Sequence, residues 1–205
     1  MLTVATCYWD ALPDTPPNSR CFTPEWVDRL ARNVRRHLTR PHRFIVFVDR
    51  VRHFTEAVQQ LKLSRQPAGF HSMIEPFRIE GPLIVMGLDT VIVGNIDHMA
   101  DWCEKPGTIG LPTDPYEHER TINGVALVPP GNRRIYDAWR GENDMVWLRN
   151  FPARRIDDEF PGQVVSLKFD DVRRKGLQNA RIVYMHGRPK QHELTHLDWV
   201  RENWR

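Results

Sequence analysis

The chain has 205 residues, of which 40% are hydrophobic and 27% charged, with a formal net charge of +3; that length suits one well-buried core and is short for two independent domains. A mean hydropathy of −0.53, with no apolar run near the roughly 20 residues that span a bilayer, excludes a disordered chain and a membrane-spanning one. The positive residues are scattered among many acids (Arg32, Arg35, Arg36, Arg40, Arg43; Arg154, Arg155; Arg173, Arg174, Lys175), which excludes the concentrated basic stripe with interleaved aromatics that binds nucleic acid.

Cys7, Cys21 and Cys103 are odd in number and lack metal-type spacing, so free thiols are expected. The opening MLTVATCYWD has no basic region ahead of its apolar residues, so no signal peptide and a cytoplasmic location are expected.

In chain order, Leu2 to Tyr8 predicts a first strand, and the proline-rich ALPDTPPNSR a loop. Thr23-Pro24-Glu25 opens a helix, with Thr23 as N-cap and Pro24 at its first position. Trp26, Val27, Leu30, Val34 and Leu38 recur at helical spacing. Phe44 to Val48 predicts a second strand ending at Asp49. A helical connection is expected around Phe54 to Leu63, and another helix over HSMIEPFRIEG, before a strand at Leu83. This alternation predicts an α/β fold: one domain, residues 1–205, with a mostly parallel central sheet flanked by helices. After Asp97 the chain is less regular. Short strands are expected at Thr108 to Leu111, Gly124 to Val128, Val164 to Leu167 and Ile182 to Met185, with a helix over Arg133 to Trp147.

The most informative stretch is GPLIVMGLDTVIVGNID, Gly81 to Asp97. An apolar run, Leu83 to Met86, ends in a lone acid, Asp89, and a second run, Val91 to Val93, resumes after it. Such runs suit a strand buried on both faces, where a charge is costly unless paired. Asp89 is therefore either a turn cap or a carboxylate presented at the carboxyl end of a central strand, where ligands of α/β sheets bind.

LIVMGLDTVIVGNID resembles the strand that carries the DxD motif in glycosyltransferases of the GT-A fold, especially those similar to family 8 and its bacterial and phage relatives. Three further pieces match in order. TVATCYW resembles the segment that contacts the nucleotide base and ribose, INGVALVPPG the N-[SA]-G-V wall of the donor-sugar pocket, and IVYMHGRPKQHEL the C-terminal motif that supplies a metal-ligand histidine and a phosphate-contacting lysine. The resemblance implies a Rossmann-like fold with a nucleotide-binding half (1–100) and an acceptor and donor-sugar half (101–205). It further implies transfer of a sugar from a nucleotide-diphosphate sugar to an acceptor. A divalent ion, Mn2+ or Mg2+, would sit on Asp89 and His186, and Lys190 or Arg188 would meet a phosphate oxygen. Thr6, Cys7, Tyr8, Trp9, Leu88, Gly187 and Lys190 are the implied nucleotide-binding residues.

The sequence departs from the family pattern at two positions. Gly87 stands where DxD has its first aspartate, and Met73 where a lysine is usual, with Arg78 near enough to substitute. A relative that binds nucleotide or glycan without turnover is therefore an alternative function. Other candidates carry two readings each. Asn123 either meets a sugar hydroxyl or forms a plain Asn-Gly turn; Asp158, in the run Asp157-Asp158-Glu159, either acts on donor or acceptor or belongs to a solvated loop. Asp49 reads base or ribose, or caps a turn. Tyr8 and Trp9 stack on a base, or pack.

His192-Glu193-Leu194-Thr195-His196 fits H-E-x-x-H, the zinc-peptidase pattern that needs both histidines on one helical face. Gly187 and Pro189 lie just upstream, Glu202 is the single reachable third ligand, and Trp199 stands where the turning glycine would be. The peptidase is the second alternative.

Overall fold

Leu2–Tyr8 forms strand β1, seven consecutive buried residues, in a computed structural model that describes residues 1–205. Both faces of β1 are covered, which is why the strand is apolar almost throughout. β2 (His42–Val48) lies parallel along it, from Leu2 opposite His42 to Tyr8 opposite Val48. β3 (Gln59–Lys62) lies parallel on the outer edge of β2, where a helix was expected around Phe54 to Leu63. Periodicity misled there because an edge strand tolerates polar residues such as Gln59 and Lys62, both exposed, while its backbone satisfies β2.

β4 (Leu83–Met86) flanks β1 on the other side, again in parallel. β5 (Thr90–Ile92) does not continue it. β5 belongs to a second sheet, antiparallel to β10 (Ile182–Tyr184), which pairs in parallel with β9 (Val164–Ser166). The main sheet is completed by β6 (Ile109–Leu111), β7 (Val125–Val128) and β8 (Ala153–Arg155), in the order β3-β2-β1-β4-β7-β6-β8. β7 runs antiparallel to β4 and to β6, and the other four pairings are parallel.

The long helix α1 (Pro24–His37) buries Trp26, Val27, Leu30 and Val34, as its spacing predicts. Thr23 sits at its N-cap with no side-chain capping bond. Asn33, on the same buried face, donates to the Ile92 carbonyl at 2.8 Å and accepts from the Ile92 amide at 2.6 Å, pinning β5 beneath α1. The remaining α-helices are short: α2 (Asp97–Cys103), α3 (Arg134–Asp137), α4 (Asp144–Leu148), α5 (Ile156–Glu159), α6 (Val172–Lys175) and α7 (Asp198–Asn203). The single helix expected over Arg133 to Trp147 is split into α3 and α4, with Gly141 between them at φ +116°, a backbone conformation that glycine adopts without steric cost. A 3-10 helix covers Phe70–Arg78, overlapping most of the His71 to Gly81 segment expected to be helical.

Alternate residues of each strand feed two cores. Leu2, Val4, Val46, Ile84 and Met86 pack with α1 and α2. Ala5, Cys7, Ile45, Phe47 and Val85 pack with Ile74 and Phe77 of the 3-10 helix and with Trp139 and Leu148. No helix is long and apolar enough to cross a membrane.

Candidate active site

The chain steps outward from β1 to β2 and β3, then returns to place β4 on the opposite side of β1. Between β1 and β4 the order reverses, and ligands of open α/β sheets bind beyond the carboxyl ends of strands at such a point. A cleft of about 710 Å³ opens there, lined by Cys7, Tyr8 and Trp9 beyond β1 and by Gly87, Leu88 and Asp89 beyond β4. Asn123, Asp144, His186, Gly187 and Lys190 line it from the other half of the chain.

Asp89 is in the turn between β4 and β5, so its carboxylate sits where the chain leaves one sheet for the other. The Met185 amide donates to the Asp89 carbonyl at 2.9 Å, and Gln191 Nε2 to the Leu88 carbonyl at 3.1 Å. The two distant segments are thus laced together through backbone. Lys190 Nζ donates to Asp89 Oδ2 at 2.5 Å and to the Met185 carbonyl at 2.7 Å. The lysine side chain is 2% exposed and the aspartate 28%, and the ammonium also lies 5.6 Å from the Phe22 ring centroid. A buried charge needs such partners.

Gly87 decides which way Asp89 turns. A Cβ there would lie 2.6 Å from Asp89 Oδ1, so the missing side chain is what leaves room for the carboxylate in its observed pose. Gly124, whose carbonyl accepts from the Gly87 amide at 3.3 Å, makes a similar close approach. A Cβ at Gly124 would come within 3.1 Å of the Tyr184 ring.

His186 is half-buried, stacked on Phe169 with ring centroids 5.4 Å apart. Its Nδ1 is 3.5 Å from Ser166 Oγ, and its Nε2 is buried without a partner. Burial, then the nearby Lys168 charge, pushes its pKa below the ordinary histidine value.

The donor set does not suit the expected Mn2+ or Mg2+ ion. Those ions want several hard oxygen ligands, yet Gly87 offers no side chain and Asp89 is already paired with an ammonium. No group of three or more His, Cys, Asp or Glu side chains is arranged to hold a metal ion. His186 offers one imidazole nitrogen.

Asn123 Nδ2 donates to Asp144 Oδ2 at 3.0 Å, while Asn123 Oδ1 is buried without a partner. Asp144 is 7% exposed, and burial raises its pKa above the ordinary carboxylate value. It opens α4, and Asn143 caps that helix by accepting from the Met145 and Val146 amides at 3.2 and 3.4 Å. Sequence reasoning missed Asp144. Asn143-Asp144 ahead of an apolar run is a helix-start signal, but nothing local says that this helix ends at the cleft.

Trp9 meets Phe70 edge-on with centroids 6.5 Å apart, and both line the cleft with Met73. Cys7 is buried there; its Sγ donates to the Ser72 carbonyl at 3.2 Å, and burial pushes its pKa up.

Five expected site residues lie outside the cleft; one is Arg188, exposed and paired with Glu193 at 3.6 Å. Thr6 alternates inward on β1, fully buried, its Oγ1 unpartnered. Asp49 is engaged by Arg52 at 2.6 Å, in a cluster where Arg52 also binds Asp10 and covers the Tyr8 ring. Arg78 donates to the Lys62 carbonyl, pairs with Glu75 at 3.4 Å and lies over Phe47, so it does not replace the lysine expected at Met73. Asp158 is exposed on α5, where its neighbour Asp157 instead accepts from the Thr113 amide.

The H-E-x-x-H segment is not one helix. His192 and Glu193 lie in a three-residue 3-10 turn, Gln191–Glu193, with His196 beyond it. Glu193 accepts from the Lys190 amide at 2.8 Å, and His192 packs 5.5 Å from Trp26. Two histidines four apart share a face only on an α-helix, so the zinc-peptidase reading falls.

No protein-family model and no curated protein matches the sequence. Solved structures do match in three dimensions. The glycosyltransferase GlyE of Streptococcus pneumoniae TIGR4 superposes with a TM-score of 0.61 at 11% identity, covering 98% of this chain and 62% of that one. This is a GT-A fold. The galactosyltransferase LgtC, in complex with donor and acceptor sugar analogs, matches with a TM-score of 0.59 at 8% identity over 97% of this chain and 93% of that one. The bifunctional glycosyltransferase WbbM matches with 0.62 at 9% over 93% and 46%. The chain therefore spans less than two thirds of the length of GlyE and less than half of WbbM.

Proposed function

We propose that the protein is a glycosyltransferase that moves a sugar from a nucleotide-diphosphate sugar to an acceptor. The observation that carries the reading is the cleft at the strand-order reversal, in a fold shared with glycosyltransferases, lined by the Lys190–Asp89 pair, by Trp9 and Phe70, and by the hydrogen-bonded Asn123 and Asp144. The leaving nucleoside diphosphate gains negative charge as the glycosidic bond breaks, and a preorganised cation in a water-poor site is the strongest single means of stabilising it. Lys190 is that cation.

Trp9 and Phe70 form the wall for the base, with Tyr8, Cys7 and Leu88 behind the ribose. Asn123 and Asp144 face the donor sugar: Asn123 Oδ1 is a buried acceptor without a donor, which a sugar hydroxyl satisfies. His186 and Gly187 close the cleft from the C-terminal segment. The first hundred residues supply the base and ribose side, and the remainder the sugar and acceptor side together with Lys190 for the diphosphate.

The test is titration with UDP, GDP, CDP and ADP followed by calorimetry and thermal shift, then release of diphosphate from the matching nucleotide sugars. Binding of one nucleoside diphosphate with a rise in melting temperature supports the reading; no response to any of the four sinks it. Gly87 and Met73 favour a second reading, a relative that binds without turnover. Nucleotide binding with no donor hydrolysis and no transfer to any acceptor would identify that case. Asp144→Asn is expected to keep nucleotide binding and lose hydrolysis.

A further inference from the structure

We infer that the Lys190 ammonium occupies the cation seat beside Asp89, so that this protein holds its anionic ligand without a divalent metal. The inference rests on the proposed function for the identity of the anion, a nucleoside diphosphate; the exclusion of metal stands on the ion pair itself.

Four features converge on that seat. Lys190 Nζ spends two of its three N–H groups on Asp89 Oδ2 and the Met185 carbonyl, which leaves one for an oxygen of a ligand in the cleft that Lys190 lines. The side chain is 2% exposed, so the ammonium has no water to fall back on if a metal takes its carboxylate, and an uncompensated buried charge is strongly destabilising. Gly87 removes the second carboxylate that would reward the exchange, and its absent Cβ leaves the space in which Asp89 turns to the lysine. The lysine is also fixed from its own backbone: the Glu193 carboxylate accepts from the Lys190 amide at 2.8 Å, and Gln191 ties the next residue to Leu88. A divalent ion on Asp89 would have to sit against this ammonium, with His186 as its one other side-chain ligand.

The experiment uses the full chain and two probes. MnCl2 is titrated while free Mn2+ is followed by electron paramagnetic resonance, first alone and then with UDP or GDP; nucleotide affinity is then measured in EDTA and in Mn2+. The expected result is no Mn2+ site tighter than about 1 mM, and nucleotide affinity equal in the two buffers within about twofold. Mn2+ bound by the native chain and released in the double variant Asp89→Asn with Lys190→Met overturns the inference. So does a nucleotide affinity that falls about tenfold or more in EDTA, a readout that needs no variant to fold. Mn2+ retained by the double variant lies elsewhere and leaves the seat to Lys190. If neither nucleotide binds, the proposed function loses its support, while the Mn2+ titration still decides the metal question.

Discussion

The Asp89–Lys190 pair makes an asymmetric prediction, because its two members differ in exposure. In Asp89→Asn the ammonium stays 2% exposed and loses its counter-charge, keeping only neutral partners: the Met185 carbonyl, the Phe22 face and the amide oxygen of the new side chain. Leaving one member of a buried pair uncompensated costs about 3–5 kcal/mol. In a chain of this size, where 1 kcal/mol moves the melting temperature by roughly 2–4 °C, that is a drop of about 6–20 °C. In Lys190→Met the survivor is a carboxylate 28% exposed, which water can reach. The loss is then closer to that of a charge-assisted hydrogen bond, about 1.5–3 kcal/mol. The double variant carries no buried charge and should be more stable than Asp89→Asn alone, with a coupling energy of about 0.5–3 kcal/mol between the sites. Urea denaturation of the four proteins, followed by tryptophan fluorescence and far-ultraviolet circular dichroism, measures the cycle. Equal losses for the two single variants, or additive effects in the double, would refute a buried ion pair at this place.

Gly87→Asp adds a carboxylate two residues ahead of Asp89, and its Cβ would displace Asp89 Oδ1, 2.6 Å away; the variant should gain Mn2+ binding in the same resonance titration, at a modest cost in stability. Gly124→Ala forces a Cβ to within 3.1 Å of the Tyr184 ring, an overpacking expected to cost about 1–3 kcal/mol by urea denaturation and to weaken nucleotide binding at the cleft. Asp97 accepts from Thr39 and Asn95; burial opposes its ionisation, but these hydrogen bonds prevail and hold its pKa at about 2. Its folded pKa lies below the unfolded one, so its contribution is complete above the ordinary carboxylate range and is lost as the pH falls through about 2. The acid limb of stability should therefore be flatter in Asp97→Asn over that window, and an unchanged slope would contradict the assigned hydrogen bonds.

The alternation of strand and helix, the buried first strand, α1 and the importance of the turn at Asp89 were all legible in the sequence, because each is written in local periodicity, a cap or a lone charge in an apolar run. The mostly parallel sheet followed from that alternation. The β3 edge was not legible, since Gln59 and Lys62 owe their strand to the neighbouring backbone of β2. The run on either side of Asp89 reads as one strand, and only the bonds from Asn33 on the buried face of α1 show what holds Thr90–Ile92 away from the main sheet.

The same division runs through the site. Asp89 came forward as a lone carboxylate in an apolar run, and His186, Asn123 and Lys190 through the resemblance of their segments to glycosyltransferase motifs. Asp144 entered with tertiary structure, because its chemistry depends on burial against Asn123. Asp158, Asp49 and Arg78 lie outside the cleft: Asp49 and Arg78 are engaged by Arg52 and Glu75, and Asp158 is exposed on its helix. Above all, the resemblance implied a metal for Asp89 and a phosphate for Lys190 as separate tasks. Which partner each side chain meets is settled by distances of a few ångströms between segments about a hundred residues apart, and in this fold the two meet each other.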